Sequence, residues 1–227
     1  MLLHIPQVLT QQEIMTVRQI IDAADWADGS ITAGTQSAKN KNNRQLPEDH
    51  PLTEEARQIV LRALSMNALY LTGALPKKIY PPLFNRYDGQ QNSFGNHIDN
   101  SVRTHAATGR HVRTDVSCTL FLSDPEDYEG GELIIEDTYG SQAIKFAAGD
   151  MVLYPSSSVH RVEPVTSGSR IACFFWTESM IRPDEQRRLL YDLDMTIMQI
   201  REQYGDTPES IRLTGTYHNL LRMWADV

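Results

Sequence analysis

From Ile79 to Trp176 the chain is built of short β-rich runs, and this stretch constrains the fold more than any other. The runs are Leu83–Tyr87, Val116–Leu122, Glu132–Glu136, Ala143–Phe146, Met151–Tyr154, Val159–Val165 and Arg170–Trp176. Turn residues divide them, among them Pro125, Gly130-Gly131, Gly140, Gly149-Asp150 and Ser167-Gly168. Many short strands with such punctuation predict a jelly-roll or sandwich. The flanks follow the helical period. Thr10 through Trp26 reads as a helix, with a Thr10–Glu13 capping box and an apolar stripe of Ile14, Val17, Ile21 and Ala24. A second helix is expected over Leu52 to Leu71, with Ala56, Val60, Ala63 and Leu64 on one side. The polar stretch between them, Ile31 to Leu46, is expected to be extended or looped. Two further helices follow Pro183 and Thr207-Pro208 and reach Trp224. The expected class is α+β, a double-stranded β-helix with supporting N-terminal helices and a C-terminal helical appendage.

Inside the β-rich stretch lies His97-Ile98-Asp99. His160 follows on a distant run, and Arg170 ten residues after it. Two imidazoles and one carboxylate are the ligand set of a mononuclear non-haem iron(II) site with open positions. On an extended strand His97 and Asp99 leave the same face, so a third ligand from another strand can complete a triangle. A structural site would instead saturate the metal. Arg170 keeps its charge and can take a carboxylate through a two-pronged hydrogen bond. Other metal-binding barrels remain open at this point. A cupin-type protein or a non-catalytic iron sensor can use a similar architecture. Cupins usually present more histidines and a glutamate, and a degenerate sensor tends to lose a ligand.

The surroundings of these residues carry a resemblance. Asn85-Arg86-Tyr87-Asp88-Gly89 leads into the first pair, Gly130-Gly131-Glu132-Leu133 lies between the ligands, and Gly149-Asp150 opens the strand before His160. This pattern resembles the prolyl-4-hydroxylase-like iron(II)/2-oxoglutarate dioxygenases. It is especially similar to the bacterial PKHD-type hydroxylases, including PiuC-like proteins associated with iron uptake. The similarity runs from the Gln36–Leu46 segment to the C-terminal helices. It implies Fe(II) held by His97, Asp99 and His160, with 2-oxoglutarate held at its far carboxylate by Arg170. It also implies O2 as co-substrate, L-ascorbate as supporting reductant and hydroxylation of an unidentified substrate. Tyr87 is either a core aromatic or a hydrogen-bond donor to 2-oxoglutarate. Glu132 reads as a turn flank, and Asp150 as a turn residue bonding its own backbone.

Composition sets the outer bounds. The 227 residues carry a formal net charge of −8, which disfavours a general nucleic-acid surface. The N-terminus lacks the charged and apolar regions of a signal peptide, and no run is long enough for a bilayer, so a cytoplasmic protein is expected. Cys118 and Cys173 sit in apolar runs and read as reduced core residues. The length suits a dioxygenase domain over 1–178 and a helical extension over 179–227.

Two basic clusters break the acidic background. Ser101–Thr114 carries Arg103, His105, Arg110, His111 and Arg113 with no acidic residue. It reads either as a solvated loop or as a rim over the metal that suits an anionic substrate. Lys39, Lys41 and Arg44 form the second cluster. Lys41, Arg103, Arg110 and Arg113 are the substrate candidates, and the substrate class stays open among a protein side chain, an amino acid and a siderophore-like chelator. The stripe Leu189, Leu193, Ile197 and Ile200 predicts a homo-oligomer through the C-terminal helices, with packing on the protein's own barrel as the alternative.

Overall fold

A computed structural model describes residues 1–32, 38 and 40–227. Lys39 and the start of the Gln36–Leu46 segment lie outside the described residues. The N-terminal strands are β1 (Leu3–Ile5), β2 (Ala27–Asp28), β3 (Lys41–Asn42) and β4 (Arg44–Gln45). The central strands are β5 (Pro76–Ile79), β6 (Leu83–Tyr87), β7 (Ser93–His97), β8 (Val102–Thr104), β9 (His111–Arg113) and β10 (Val116–Phe121). Then come β11 (Tyr128–Gly130), β12 (Leu133–Asp137), β13 (Gly140–Ile144), β14 (Met151–Pro155), β15 (His160–Val162), β16 (Val165–Gly168) and β17 (Arg170–Ser179).

Two antiparallel sheets form the jelly-roll. The larger has the order β1-β14-β10-β17-β6-β4-β2, with β5 also on β17, and the smaller runs β13-β12-β15-β7-β3. Their inner faces meet in one apolar cluster, where Tyr87, Phe121, Val152 and Tyr154 of the large sheet touch Leu133, Ile135 and Val162 of the small one. Alternation along β17 separates two environments. Ile171, Cys173 and Phe175 join the core beneath the helices, whereas Arg170, Phe174 and Trp176 line the cavity between the sheets.

The helices α1 (Gln11–Asp22), α2 (Pro51–Met66) and α3 (Ala68–Ala74) cover the outer face of the large sheet, burying Val17, Ile21, Val60 and Leu64. The expected capping box is present: the Thr10 N–H donates to Glu13 Oε2 at 2.8 Å, and the Glu13 N–H donates to Thr10 Oγ1 at 3.3 Å. Two helix boundaries differ from expectation. The first helix stops at Asp22, short of Trp26. The second is broken at Asn67, whose backbone is extended and whose Oδ1 accepts from the Tyr70 N–H at 2.9 Å. Asn67 therefore starts a new helix.

Three further expectations change. The single run Val159–Val165 is two strands in different sheets, β15 and β16, parted at Glu163-Pro164. Asp150 bonds its own turn through its backbone N–H, which donates to the Ala147 carbonyl at 3.1 Å, but its side chain reaches elsewhere. Its carboxylate accepts from the Gln7 N–H at 2.9 Å and pairs with His4 Nε2 at 2.8 Å, tying the N-terminal segment to β14. Ser101–Thr114 is a β8–β9 hairpin rather than an unstructured loop, with Val102 opposite Arg113.

Beyond β17, α4 (Asp184–Tyr204) and α5 (Pro208–Trp224) pack on one another and α4 packs on α3. The apolar stripe is spent in part inside the chain. Leu190, Ile197 and Tyr217 are buried with Leu75 and Ile181, and Leu193 is partly buried there. Leu189, Met198, Ile211 and Met223 remain exposed.

Candidate functional site

The site begins with strand pairing. β15 lies against β7, and this register sets His160 opposite His97. The two imidazole centroids are 4.1 Å apart. His97 is the last residue of its strand, and Asp99 comes from the segment just beyond it, not from the strand as the two-residue spacing suggests. Asp99 Oδ2 still comes within 3.7 Å of His160 Nε2. One ligand atom from each of His97, Asp99 and His160 lies within 4.8 Å of the others.

Local hydrogen bonds fix how these groups present themselves. His97 Nδ1 lies 2.8 Å from the Gly95 carbonyl, and His160 Nδ1 lies 3.0 Å from that of Ser158. A carbonyl only accepts, so both Nδ1 atoms carry a proton and both Nε2 atoms are turned toward the metal position. Burial, then the neighbouring His160, pushes the His97 imidazolium down to about 4, so the ring is neutral near pH 7. The Ser117 hydroxyl donates to Asp99 Oδ2 at 2.6 Å and sits 2.7 Å from Ser156 Oγ. Two imidazoles whose Nδ1 atoms face carbonyls and an oriented carboxylate fit a divalent iron with open positions.

Arg170 starts β17 directly opposite Tyr87 on β6. It is 1% exposed, and its carbon centre lies 5.3 Å from the Tyr87 ring and 5.4 Å from the Phe121 ring. Among the described residues, none forms a hydrogen bond with its Nε, Nη1 or Nη2. A buried guanidinium between the Tyr87 and Phe121 rings, with the Tyr128 hydroxyl near it, is costly unless an anion shares the space. Its planar fork matches the far carboxylate of a dicarboxylic acid. Tyr87 is also fully enclosed, and burial raises its phenol against the lowering effect of Arg170. The buried Tyr128 hydroxyl faces Arg170 as well. No residue motif marks Tyr128.

Arg170 and the His97–Asp99–His160 cluster line one cavity of about 780 Å³, counting its open mouth. Lys41 and Arg103 line it as well; Arg110 and Arg113 do not. Arg110 is exposed beyond the end of β8. Arg113 is engaged in a fork with Asp115, at 2.8 and 3.0 Å, and faces Glu178. Burial, then Arg103, pushes the Lys41 ammonium down to about 7. Phe94, Phe174 and Trp176, none of them singled out by sequence motifs, supply aromatic wall. Cys118 and Cys173 are buried free thiols, as expected.

Comparisons with known proteins agree with this geometry. The 2OG-Fe(II) oxygenase superfamily matches residues 82–178, and the PKHD-type hydroxylase C-terminal domain matches residues 184–226. A PKHD-type hydroxylase of Saccharophagus degradans is 58% identical over 225 residues, covering 99% of both chains. One from Polaromonas sp. is 55% identical over 226 residues, covering 100% of both. Among solved structures, a Trichoplax adhaerens prolyl hydroxylase in complex with a hypoxia-inducible-factor peptide superposes with a TM-score of 0.59. It is 17% identical, with 83% of this chain and 86% of that one covered. HygX from Streptomyces hygroscopicus, solved with nickel, 2-oxoglutarate and hygromycin B, gives 0.52 at 15% identity, covering 79% and 84%. At such identities these two structures show a shared fold.

Proposed function

Since this chain belongs to the PKHD-type hydroxylases of the 2OG-Fe(II) oxygenase superfamily, we propose that His97, Asp99 and His160 hold its iron and Arg170 its 2-oxoglutarate. The protein is a 2-oxoglutarate-dependent dioxygenase, which couples oxidative decarboxylation of the co-substrate to hydroxylation of a second molecule. The observation that carries the residue assignment is the buried guanidinium of Arg170, unpaired among the described residues, in the same cavity as the three ligand groups. Iron(II), once bound, supplies O2 activation and oxidation of an unactivated C–H bond.

The protein's own groups do the rest. The Gly95 and Ser158 carbonyls hold the two imidazoles in the ligating tautomer. Ser117 fixes the Asp99 carboxylate by donating to Oδ2, the oxygen that also faces His160 Nε2. Arg170 takes the far carboxylate of 2-oxoglutarate, and Tyr87 adds a phenolic O–H beside it. The enclosed aromatic end around Arg170 keeps water from that ion pair, which strengthens it. Ascorbate as supporting reductant and a role in iron homeostasis belong to the same proposal. Both rest on the sequence resemblance alone. Cytoplasmic location is proposed with them; no helix among the described residues is long and apolar enough to cross a membrane.

The assignment also divides the chain at 178/179, in line with the family matches that end at 178 and begin at 184. Self-association through the C-terminal helices stays a proposal, resting on exposed Leu189, Met198 and Met223. The test of the iron assignment is metal stoichiometry and succinate formation in His97→Ala, Asp99→Ala and His160→Ala. Each variant should lose both while keeping the wild-type circular dichroism spectrum. Full turnover in any one removes that residue from the triad.

A further inference from the structure

Trp176 carries a buried donor that the fold leaves unused. Its side chain is 6% exposed and lines the cavity, and its Nε1 has no hydrogen-bond partner among the described residues. A buried indole N–H ordinarily finds an acceptor. Trp26 does, donating from Nε1 to the Ile21 carbonyl at 3.1 Å. The Trp176 ring has little room to turn toward one. The Arg103 guanidinium lies 4.6 Å from its centre, and the Tyr80 and Phe174 rings meet it edge-on, both at 5.6 Å. The backbone is pinned as well. Trp176 pairs with Ser117 on β10, and its carbonyl accepts from the Tyr80 N–H at 2.8 Å.

Strand register sets this donor beside the metal ligands and far from Arg170. Ser117, opposite Trp176, is the residue that donates to Asp99 Oδ2 at 2.6 Å. Arg170 lies six residues back along β17, about 20 Å on an extended strand. A 2-oxoglutarate anchored there has its far carboxylate at the opposite end of the cavity. Toward His97 the wall is aromatic. The Lys41 ammonium lies 5.8 Å from the Phe174 ring and 5.6 Å from that of Phe94, and Phe94 stacks on His97 at 3.6 Å. Among the described residues, Arg170 and Trp176 are the cavity-lining side chains with a buried, unpartnered donor. Arg170 takes the co-substrate, and Trp176 is left for the second molecule.

From this we infer that the hydroxylated substrate presents a carbonyl oxygen to Trp176 Nε1. Its apolar or aromatic body lies along Phe174 and Phe94 toward His97. Trp176 is then a specificity-determining residue, because a molecule without that oxygen leaves the N–H buried and unpaired in the complex. An amide and a carboxylate both offer such an oxygen, and the test separates them. The inference rests on the assignment of Arg170 to 2-oxoglutarate.

The test uses the full-length protein loaded with 2-oxoglutarate and Zn(II), which has no redox chemistry and allows no turnover. The indole N–H resonances are followed by NMR on protein with isotope-labelled tryptophan and assigned with Trp26→Phe, Trp176→Phe and Trp224→Phe. Benzamide, benzoate and toluene are the probes, each at millimolar concentration. The Trp176 resonance should move downfield with benzamide, with benzoate or with both, and the probe that moves it identifies the source of the carbonyl. Toluene, which has the ring and no oxygen, should not move it downfield. The Trp26 resonance, already bonded to a carbonyl, should stay in place. In calorimetric titrations Trp176→Phe should weaken the carbonyl probe about fivefold relative to toluene, the size of one hydrogen bond, and leave 2-oxoglutarate affinity unchanged. No downfield shift with either carbonyl probe, an equal shift with toluene, or a shift produced by 2-oxoglutarate alone overturns the inference. Undiminished 2-oxoglutarate affinity in Arg170→Gln overturns the co-substrate assignment instead.

Discussion

Arg170 is the residue on which the co-substrate assignment turns. Its burial without a hydrogen-bond partner among the described residues is a cost that a carboxylate offsets. Arg170→Ala should raise the apparent 2-oxoglutarate requirement at least about tenfold, because a charge-assisted hydrogen bond contributes roughly 1.5–3 kcal/mol. Iron affinity should change far less. Unchanged dependence of succinate formation on 2-oxoglutarate would mean that another cation holds the carboxylate. At this scale the sequence was highly legible. His97, Asp99, His160 and Arg170 were marked by residue type and spacing, and all four line one cavity. The orienting partners were not. Ser117 and the Gly95 and Ser158 carbonyls act through hydrogen bonds that strand register creates, and no residue pattern announces them.

At the scale of elements, strand existence was easier to read than strand membership. Val159–Val165 looks continuous because its apolar residues alternate, yet Pro164 has no N–H and the two halves enter different sheets. Asn67 is equally hard to see within a helical stripe, since its side chain starts α3 only once the backbone has turned extended. Short strands such as β3 and β8 exist through pairing with β7 and β9, which is a tertiary property. The C-terminal stripe provides a sharp case. Leu189 and Leu190 are neighbours in sequence, but Leu190 is 0% exposed and Leu189 is 59% exposed. Leu190→Ala should cost about 2–5 kcal/mol in urea unfolding. Leu189→Ala should stay within about 0.5 kcal/mol. Equal losses would show that Leu189 too is covered in solution.

The whole molecule is a jelly-roll whose large sheet is backed by three helices and extended by a helical hairpin. The hairpin contacts α3 and shares a cluster with Leu75, Met180 and Ile181. That packing takes up Ile197 and part of Leu193 from the stripe that suggested a dimer, and leaves Leu189 exposed. The remaining exposed residues make the oligomer a separate question, which light scattering answers. A dimer in the intact protein that becomes monomeric in Leu189→Asp/Met198→Asp supports association through this face, and a monodisperse monomer at micromolar concentration ends the idea.

The central claim is that one cavity holds iron on His97, Asp99 and His160 while Arg170 holds 2-oxoglutarate beside it. Anaerobic titration of the protein with Fe(II) and then 2-oxoglutarate, followed by visible absorption, tests it most directly. The account predicts a weak charge-transfer band that appears only when both are present, is lost in His160→Ala and needs more 2-oxoglutarate in Arg170→Ala. Stoichiometric iron binding with no band at saturating 2-oxoglutarate would contradict it.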